Sequence, residues 1–239
     1  MARQQFLALA TDGDGTLLRG GRMGRKTIAA LKRWREAGGK LVLVTGENAR
    51  QLHEFPHANL FDRIVGENGA LVLRSRAGKE RKLCKPPPRR LVRALKRAHV
   101  WPLKRGHLII QAKFEQQGAI EKVLRELKLG WRIVRNRREL IVLPEGVSKG
   151  TGVAAALKEL GLSPRQAIAV GDAENDGPLF EACGLAVAVR NAVPKLKRKA
   201  DLVTRGHYGK GVAEIIDRML PKLNGRSQRR RARKSNASS

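Results

Sequence analysis

Residues 6–17 read FLALATDGDGTL, and this stretch decides the fold. Its apolar run ends abruptly in a cluster of Asp and Gly, as a buried strand does where it leaves a sheet for a loop. A helical pattern follows over residues 26–37, and a second apolar run, LVLV at residues 41–44, ends in TGEN. Strand, helix, strand and loop in this order predict a parallel α/β sheet.

The strand–helix alternation is interrupted in the middle of the chain. KPPPRR at residues 85–90 opens a basic segment that reads as helix, strand, helix and two strands, and the first rhythm resumes at Ser148. We therefore predict an α/β fold with a Rossmann-like parallel-sheet core and an inserted small α+β domain. The predicted bounds are 1–82 and 146–221 for the two parts of the core, 83–145 for the insertion, and 222–239 for a disordered basic tail.

Length and composition exclude several classes of protein. The chain has 239 residues, 41% hydrophobic and 30% charged, which is a balance typical of a folded globular protein. No apolar run approaches the ~20 residues that a membrane helix needs, and the first residues have no signal-peptide pattern. The two cysteines, Cys84 and Cys183, form no CxxC pair, which argues against a disulfide framework and a zinc–thiolate site. We expect a soluble cytoplasmic protein with no membrane partner.

The net charge of +29 predicts contact with anions. Residues 74–144 hold 21 basic and five acidic residues, and residues 222–239 hold seven basic residues and no acidic one. Such segments can guide a small anionic substrate or bind nucleic acid. Aromatic residues make up only 4% of the chain, which leaves few surfaces on which single-stranded bases could stack. The sequence also has no helix-turn-helix or zinc motif, so the small anionic substrate is favoured.

Two acidic clusters follow two different apolar strands. Asp12 and Asp14 lie at the end of the first strand, and Asp172, Asn175 and Asp176 follow a later one. Because the carboxyl ends of parallel strands lie on the ligand-binding edge of such a sheet, the clusters are expected to converge there. Carboxylates this close repel one another unless a cation lies between them, and hard oxygen ligands suit Mg²⁺. Each cluster alone is also compatible with a turn or a helix cap.

Two further signals are weak in isolation. Thr45 and Gly46 end the second strand, where a hydroxyl and exposed backbone N–H groups can hold a phosphate oxygen, although an ordinary turn has the same sequence. Lys149 lies at the predicted start of a helix, where a lysine is usually solvated and Ser148 could simply be the N-cap.

In combination the chain resembles the haloacid dehalogenase (HAD) superfamily of phosphohydrolases over residues 6–220. The four motifs of the superfamily are matched in order by Asp12-Gly13-Asp14-Gly15-Thr16-Leu17, Val44-Thr45-Gly46, Lys149, and Gly171-Asp172 through Asn175-Asp176. The insertion between the second and third motifs, preceded by Glu67-Asn68-Gly69-Ala70, is similar to subfamily IIB, the Cof-like group. Gly13 and Glu47 depart from the family, which usually has a bulkier residue and often an Arg at these positions.

The resemblance implies a Mg²⁺-dependent phosphatase of a small phosphorylated metabolite, either a sugar phosphate or a phosphoglycolate-like compound. Asp12 would attack phosphorus to form an aspartyl-phosphate, and Asp14 would act as general acid and base. Thr45, Gly46 and Lys149 would bind the phosphate, with Lys149 also neutralising Asp12.

The remaining implied roles concern the metal and the insertion. Mg²⁺ would be held by Asp12, the backbone carbonyl of Asp14, and Asp172, while Asn175 and Asp176 would position metal waters and Lys149. The insertion would be a mobile cap. Its candidates for contacting the substrate, each of which could instead be solvated, are Arg105, His107, Lys113, Arg135 and Arg137.

A second interpretation of the whole chain is also open. A nucleic-acid- or nucleotide-associated protein could use the basic cap and tail and keep a vestigial or nucleotide-directed site. Weak nonspecific nucleic-acid contact through the tail is compatible with the phosphatase interpretation too. The sequence does not indicate an oligomeric state.

Overall fold

Within the part of the chain that the structure describes, the main sheet has eight strands in the order β12-β11-β10-β1-β2-β3-β4-β5. The computed structural model describes residues 6–48, 51–52, 55–74 and 79–235 of the chain. The strands of this sheet are β1 (Ala8–Asp12), β2 (Lys40–Val44), β3 (Arg63–Gly66), β4 (Leu71–Leu73), β5 (Glu80–Lys82), β10 (Ala167–Gly171), β11 (Leu185–Ala188) and β12 (Leu202–Val203).

Pairing within this sheet is parallel from β12 through β3. The last three strands, β3, β4 and β5, pair antiparallel, because the tight turn at residues 67–69 joins β3 directly to β4. The predicted Rossmann-like sheet is therefore confirmed, with an antiparallel edge that the sequence analysis did not predict.

Helices cover the main sheet. Among the described residues they include α1 (Arg25–Glu36), α4 (Lys149–Glu159), α5 (Gly177–Ala182), α6 (Pro194–Lys197) and α7 (Gly209–Ser235). In α1 the apolar residues Ala30, Leu31 and Trp34 recur at helical spacing and are buried, while basic residues occupy the outer face. The Trp34 indole N–H donates to the carbonyl of Lys40 at 3.0 Å, which links the end of α1 to the start of β2.

The insertion forms its own sheet of four antiparallel strands in the order β6-β7-β9-β8. The strands are β6 (Lys104–Arg105), β7 (Ile110–Lys113), β8 (Trp131–Asn136) and β9 (Glu139–Pro144), and the helices are α2 (Arg89–Arg97) and α3 (Gln117–Leu127). This second sheet confirms the predicted inserted α+β unit. We refer to the unit formed by β6 to β9 together with α2 and α3 as the cap. The predicted residue bounds of the domains stay predictions.

Strand β9 packs against two apolar cores at once. Leu140 and Val142 join a cluster with the cap helices, which contribute Leu91, Leu95 and Ile120. Ile141 and Leu143, on the opposite face of the same strand, join the core of the main sheet. Successive side chains of a strand point to opposite faces, so the apolar run LIVL buries both faces and joins the cap to the main sheet.

The last helix is longer than the sequence analysis predicts. A helix over residues 211–220 is expected there, whereas α7 runs from Gly209 to Ser235 with Pro221 inside it. Arg, Lys, Gln and Ala are strong helix formers, and their abundance after residue 221 favours continuation of the helix. Whether the tail is disordered in solution stays a prediction. Among the helices of the described ranges, none combines the length and the apolar character needed to cross a membrane.

Candidate active site

The two acidic clusters meet at one edge of the main sheet. Strands β10, β1 and β2 are adjacent and parallel, so the residues at their carboxyl ends lie side by side. Asp12 is the last residue of β1, Thr45 directly follows β2, and Asp172 directly follows β10. All three side chains are buried and line one cavity of about 240 Å³.

Lys149 is the positive centre of this cluster. Its ammonium Nζ lies 2.5 Å from Asp12 Oδ1 and 2.6 Å from Asp176 Oδ1, and its exposure is only 2%. The sequence SKGT explains its position, because Ser148 is the N-cap of α4 and accepts a hydrogen bond from the backbone N–H of Thr151. Lysine is therefore the first residue of the helix, at the edge where the strands end.

Asp176 holds Lys149 and the loop after β10. Its Oδ1 accepts from Lys149, and its Oδ2 accepts the backbone N–H groups of Asp172 at 2.9 Å and Ala173 at 3.0 Å. Both oxygens of this fully buried carboxylate are thus occupied by protein donors. Asp176 therefore holds its neighbours in place and does not line the cavity, whereas Asp12 and Asp172 do.

Burial and charge shift the pKa values in opposite directions. Burial raises the pKa of Asp12 well above its ordinary value; Lys149 opposes this increase, and the nearby Asp176 and Asp172 add to it. Burial acts to lower the pKa of Lys149, but Asp12 and Asp176 outweigh it, and the pKa of Lys149 is raised. Lys149 therefore stays charged, and Asp12 needs positive charge nearby in order to ionise.

The acidic cluster fits a divalent cation. Carboxylate oxygens of Asp12, Asp172 and Asp176 lie within 4.8 Å of one another. Asp12 and Asp172 line the cavity and Asp176 does not, so Asp12 and Asp172 are the carboxylates placed to hold an ion, which at Asp172 would replace the contact with Arg137. Asn175 Oδ1, also buried at the cavity, has no hydrogen-bond partner among the described residues. This set of hard oxygen donors is the kind that Mg²⁺ prefers.

Asp14 is separate from this carboxylate group. Its side chain is exposed, yet it lines the same cavity as Asp12. The loop between them is closely packed, because Gly15 has φ +82° and a Cβ at this position would overlap the Asp172 carboxylate. The hydroxyl of Thr16 donates to Asp172 Oδ1 at 2.9 Å, so the first motif and the fourth are directly joined.

The turn after β2 forms another wall of the cavity. Thr45 Oγ1 accepts the backbone N–H of Glu47 at 3.2 Å, and Gly46 lies beside it at the cavity surface. Burial, with a further contribution from Asp14, raises the pKa of Glu47 to about 7. This turn therefore carries a group that titrates near neutral pH, a property that the sequence analysis missed.

Arg137 is the one predicted cap residue that the structure brings to the acidic cluster within the described part of the chain. It lies in the turn between β8 and β9, and its guanidinium Nη2 donates to Asp172 Oδ2. Its backbone N–H donates to Glu174 Oε2 at 3.1 Å. Arg135 supports this turn, because its Nε donates to the carbonyl of Arg137 at 3.0 Å and its guanidinium lies 4.3 Å from the centre of the Phe114 ring.

The other predicted cap residues lie elsewhere. His107 and Lys113 are exposed and do not line the cavity, and the side chain of Arg105 lies outside the described residues. The cap residues that do line the cavity are Gln111, Asn136 and Glu139, from β7, β8 and β9. Sequence reasoning missed them because it selected for positive charge. The available signal was strand alternation, because Ile110 and Ala112 are buried on one face of β7 and Gln111 therefore lies on the other face.

Comparison with known proteins gives a consistent result. Residues 9–98 and 104–216 match the haloacid dehalogenase-like hydrolase family. Phosphoglycolate phosphatase 2 of Saccharolobus solfataricus is 33% identical over 186 residues, covering 76% of this chain and 77% of that protein. Phosphoglycolate phosphatase of Methanoculleus marisnigri is 29% identical over 230 residues, covering 91% of this chain and 98% of that protein.

Solved structures show the same fold. A phosphatase of the HAD superfamily from Bacteroides thetaiotaomicron has a TM-score of 0.75 at 21% identity, covering 91% of this chain and 96% of its own. A HAD subclass IIB sugar phosphatase has a TM-score of 0.72 at 20% identity, covering 88% of this chain and 98% of its own. These likenesses concern the whole architecture, the main sheet together with the cap.

Proposed function

The chain belongs to the haloacid dehalogenase-like hydrolases, and we propose that it is a Mg²⁺-dependent phosphatase of a small phosphorylated acid. Phosphatase-named relatives cover most of its length, so its reaction class is phosphoric monoester hydrolysis. The observation that carries the mechanism is the buried contact between the Asp12 carboxylate and the Lys149 ammonium, 2.5 Å apart at the cavity wall. This pair provides a nucleophile whose charge is balanced before a substrate arrives.

Asp12 is the proposed nucleophile. Its carboxylate oxygen would attack phosphorus and displace the substrate alkoxide, forming an aspartyl-phosphate. Water would then attack this phosphoryl group and release inorganic phosphate and the Asp12 carboxylate. Lys149 would keep Asp12 ionised and stabilise the charge that develops on the phosphoryl oxygens. Asp176, whose oxygens hold Lys149 and two backbone amides, would keep the ammonium at this position.

Asp14 is the proposed general acid and base. Its side chain lines the cavity and is exposed to solvent, whereas that of Asp12 is buried. It would protonate the leaving alkoxide in the first step and remove a proton from the attacking water in the second. The hydroxyl of Thr45 and the backbone at Gly46 would bind the remaining phosphate oxygens.

Mg²⁺ is the proposed cofactor, held by Asp12, Asp172 and the backbone carbonyl of Asp14. When bound, the ion would offset the repulsion between an anionic phosphate and an anionic nucleophile. Asn175, whose Oδ1 has no partner among the described residues, would orient a water molecule bound to the ion. The guanidinium of Arg137 contacts Asp172 Oδ2, so an ion bound at this carboxylate would replace that contact.

The size and lining of the cavity support a small, polar substrate. About 240 Å³ is at the small end for ligand sites, and the cap contributes the polar side chains of Gln111 and Asn136. A phosphoglycolate-like compound suits this space, in agreement with the activities for which two relatives are named. A small sugar phosphate is the alternative substrate. Nucleic-acid contact through the tail and a cytoplasmic location stay predictions.

The test is a panel of phosphorylated compounds assayed with Mg²⁺ and with the metal chelated. We expect phosphoglycolate and small sugar phosphates to be hydrolysed only with Mg²⁺, and nucleotides and single-stranded DNA to be poor substrates. Hydrolysis that persists after chelation would contradict the metal role. Preferential cleavage of nucleotides would instead favour the nucleotide-directed interpretation of the site.

A further inference from the structure

The turn at residues 67–69 has no role in the mechanism above, yet it contacts most of the site. It joins β3 to β4, and Glu67, Asn68 and Gly69 are all buried. Glu67 and Asn68 have φ of 47° and 53°, a left-handed conformation that non-glycine residues rarely adopt. Strain of this kind persists where surrounding contacts fix the backbone. The contacts of Glu67, Asn68 and Gly69 therefore indicate which parts of the molecule this strained backbone holds in place.

The Glu67 carboxylate binds a loop of the cap. Its Oε1 accepts the backbone N–H of His107 at 2.9 Å, and its Oε2 accepts those of Leu108 at 2.7 Å and Ile109 at 3.1 Å. Glu67 is 0% exposed, so these three donors replace its lost hydration. Three consecutive amides on one carboxylate fix both the position and the direction of the cap backbone.

This contact also requires a glycine on the cap side. A Cβ at Gly106 would lie 2.5 Å from Glu67 Oε2, so any side chain there would push the carboxylate away from the loop. Leu108 and Ile109 are buried in the core of the main sheet, which seats the same loop by apolar packing.

The fixed loop leads directly into the cap strand that reaches the cavity. Ile109 precedes β7, and Gln111 of this strand donates from Nε2 to the carbonyl of Gly46 at 3.3 Å. Gln111 and Gly46 both line the cavity. The position of the Glu67 carboxylate therefore sets where the cap meets the proposed phosphate-binding turn.

The rest of the turn contacts the other proposed catalytic segments. Asn68 Oδ1 accepts from Asn175 Nδ2 at 2.8 Å, which connects the turn to the loop after β10. Gly69 has φ +105°, and a Cβ there would overlap the carbonyl of Ser148, directly before Lys149. One turn thus contacts the cap, the fourth motif and the start of α4.

We propose that Glu67 is a positioning residue, whose carboxylate fixes the cap loop at residues 107–109 and thereby places Gln111 across the mouth of the cavity. The consequence for kinetics rests on the proposed phosphatase function. Because the nucleophile lies at the end of β1 and Lys149 at the start of α4, both outside the cap, loss of the Glu67 contact weakens binding of the organic part of the substrate more than it slows phosphoryl transfer.

The experiment compares Glu67→Gln with Gly106→Ala, which disturbs the same contact from the cap side. The matched control is Asp62→Asn, since Asp62 Oδ2 also accepts a backbone amide, that of Leu41 at 3.0 Å, at the opposite end of the strands. Backbone amide exchange is measured over residues 106–113 in the full chain. Steady-state kinetics are measured with phosphoglycolate and with acetyl phosphate, which is of similar size but lacks the carboxylate.

We expect amide exchange at residues 107–109 to accelerate about tenfold or more in both test variants and not in the control. The KM for phosphoglycolate is expected to rise about tenfold with kcat changed less than about threefold, while acetyl phosphate responds little. If Glu67→Gln does not fold, Gly106→Ala carries both measurements.

Unchanged exchange at residues 107–109 would overturn the inference. Faster exchange with an unchanged KM for phosphoglycolate would overturn it too, because the contact would then have only a structural role. If the wild-type chain hydrolyses no phosphomonoester, the proposed function fails, and the exchange measurement still decides whether Glu67 holds the cap loop.

Discussion

Lys149 balances two carboxylates and is itself almost fully buried. Its ammonium contacts Asp12 at 2.5 Å and Asp176 at 2.6 Å, and its side chain is 2% exposed. Buried charges of this kind are costly when one partner is removed, because the others lose their counterion without regaining water. The same lysine therefore contributes to the stability of the fold and to the proposed chemistry.

Lys149→Met is expected to reduce both properties. It leaves Asp12 and Asp176 buried without their cation, so unfolding free energy should fall by about 3–5 kcal/mol and phosphatase turnover should be lost. Urea unfolding and initial rates measure the two effects. The matched control is Lys199→Met, because the pair of Lys199 with Glu181 at 2.8 Å is exposed and should contribute less than about 1 kcal/mol. Equal effects of the two substitutions would contradict the assigned role.

Glu47 is expected to make substrate affinity depend on pH. Its pKa is raised to about 7, so the carboxyl is neutral in acid and becomes negative as pH rises through neutrality. The added charge lies at the cavity that receives a phosphate, and an interaction of ~1 kcal/mol corresponds to about a fivefold rise in KM. Glu47→Gln should remove this component. The ionisation of the substrate affects wild type and Glu47→Gln equally. The ratio of the wild-type KM to the variant KM is therefore expected to rise between pH 6 and pH 8 through Glu47 alone.

The raised pKa of Glu47 also determines how the stability of the fold changes with pH. The folded chain keeps the Glu47 proton up to about pH 7, whereas the unfolded chain releases it near the ordinary value of 4.5. The unfolded state therefore binds fewer protons between these values, and Glu47 destabilises the fold increasingly as pH rises through this interval. The Tm of Glu47→Gln relative to wild type is expected to rise from pH 5 to pH 8. A constant difference would show that Glu47 titrates normally.

At the scale of elements, β9 connects the cap to the main sheet through its two apolar faces. Leu140 and Val142 face the cap helices, and Ile141 and Leu143 face the main core. The cap is thus seated on the sheet by packing as well as by the Glu67 contact. The cap also has an apolar cluster of its own, which makes the predicted domain division testable.

Leu95→Ala should destabilise the cap selectively. Leu95 lies in α2 and is fully buried in the cap cluster, so its truncation is expected to cost about 2–5 kcal/mol locally. The matched substitution is Leu157→Ala in α4, equally buried in the main core. Amide exchange should accelerate within residues 83–145 in the first variant and in the main sheet in the second. Uniform acceleration across the chain in both variants would mean that the two parts unfold as one unit.

The sequence predicted the strand ends better than it predicted the cap residues. Asp12 and Asp172 were identified because an apolar run stopped by polar residues is a local signal, and parallel pairing brings such stops together. Gln111 and Asn136 were missed because their role depends on which face of the cap sheet meets the main sheet. Charge was a poor guide, since His107 and Lys113 are exposed and only Arg137 reaches the acidic cluster among the described side chains. Strand β6 was not predicted because it consists of two basic residues, Lys104 and Arg105, and has no apolar pattern.

For the whole molecule, the charge of +29 is the dominant property. Exposed charges act over a Debye length of ~8 Å at physiological salt, so their influence on an anionic substrate should be mainly on association. The cap carries much of the surplus and contributes side chains to the cavity, whereas residues 226–239 come after Leu223, which is the last buried apolar residue among the described side chains of α7. These two basic segments are therefore expected to differ in function.

Deletion of residues 226–239 is expected to leave kcat for a small substrate unchanged within about twofold. The deleted segment has six basic residues and no acidic residue, so weak DNA binding should decrease and its dependence on salt should become smaller. Gel retardation and initial rates on the same preparations measure both effects. A large loss of kcat would show that the tail contributes to the site, and DNA binding that survives deletion at physiological salt would assign it to the cap.

The turnover of Asp12→Asn tests the central claim most directly. The amide is nearly the same size as the carboxylate but is a poor nucleophile, and it can still accept a hydrogen bond from Lys149. With Mg²⁺ and phosphoglycolate, we predict that kcat falls by about a thousandfold or more while the circular dichroism spectrum stays that of the wild-type chain. A variant that keeps its kcat within about tenfold of wild type would contradict the assignment of Asp12 as the covalent nucleophile.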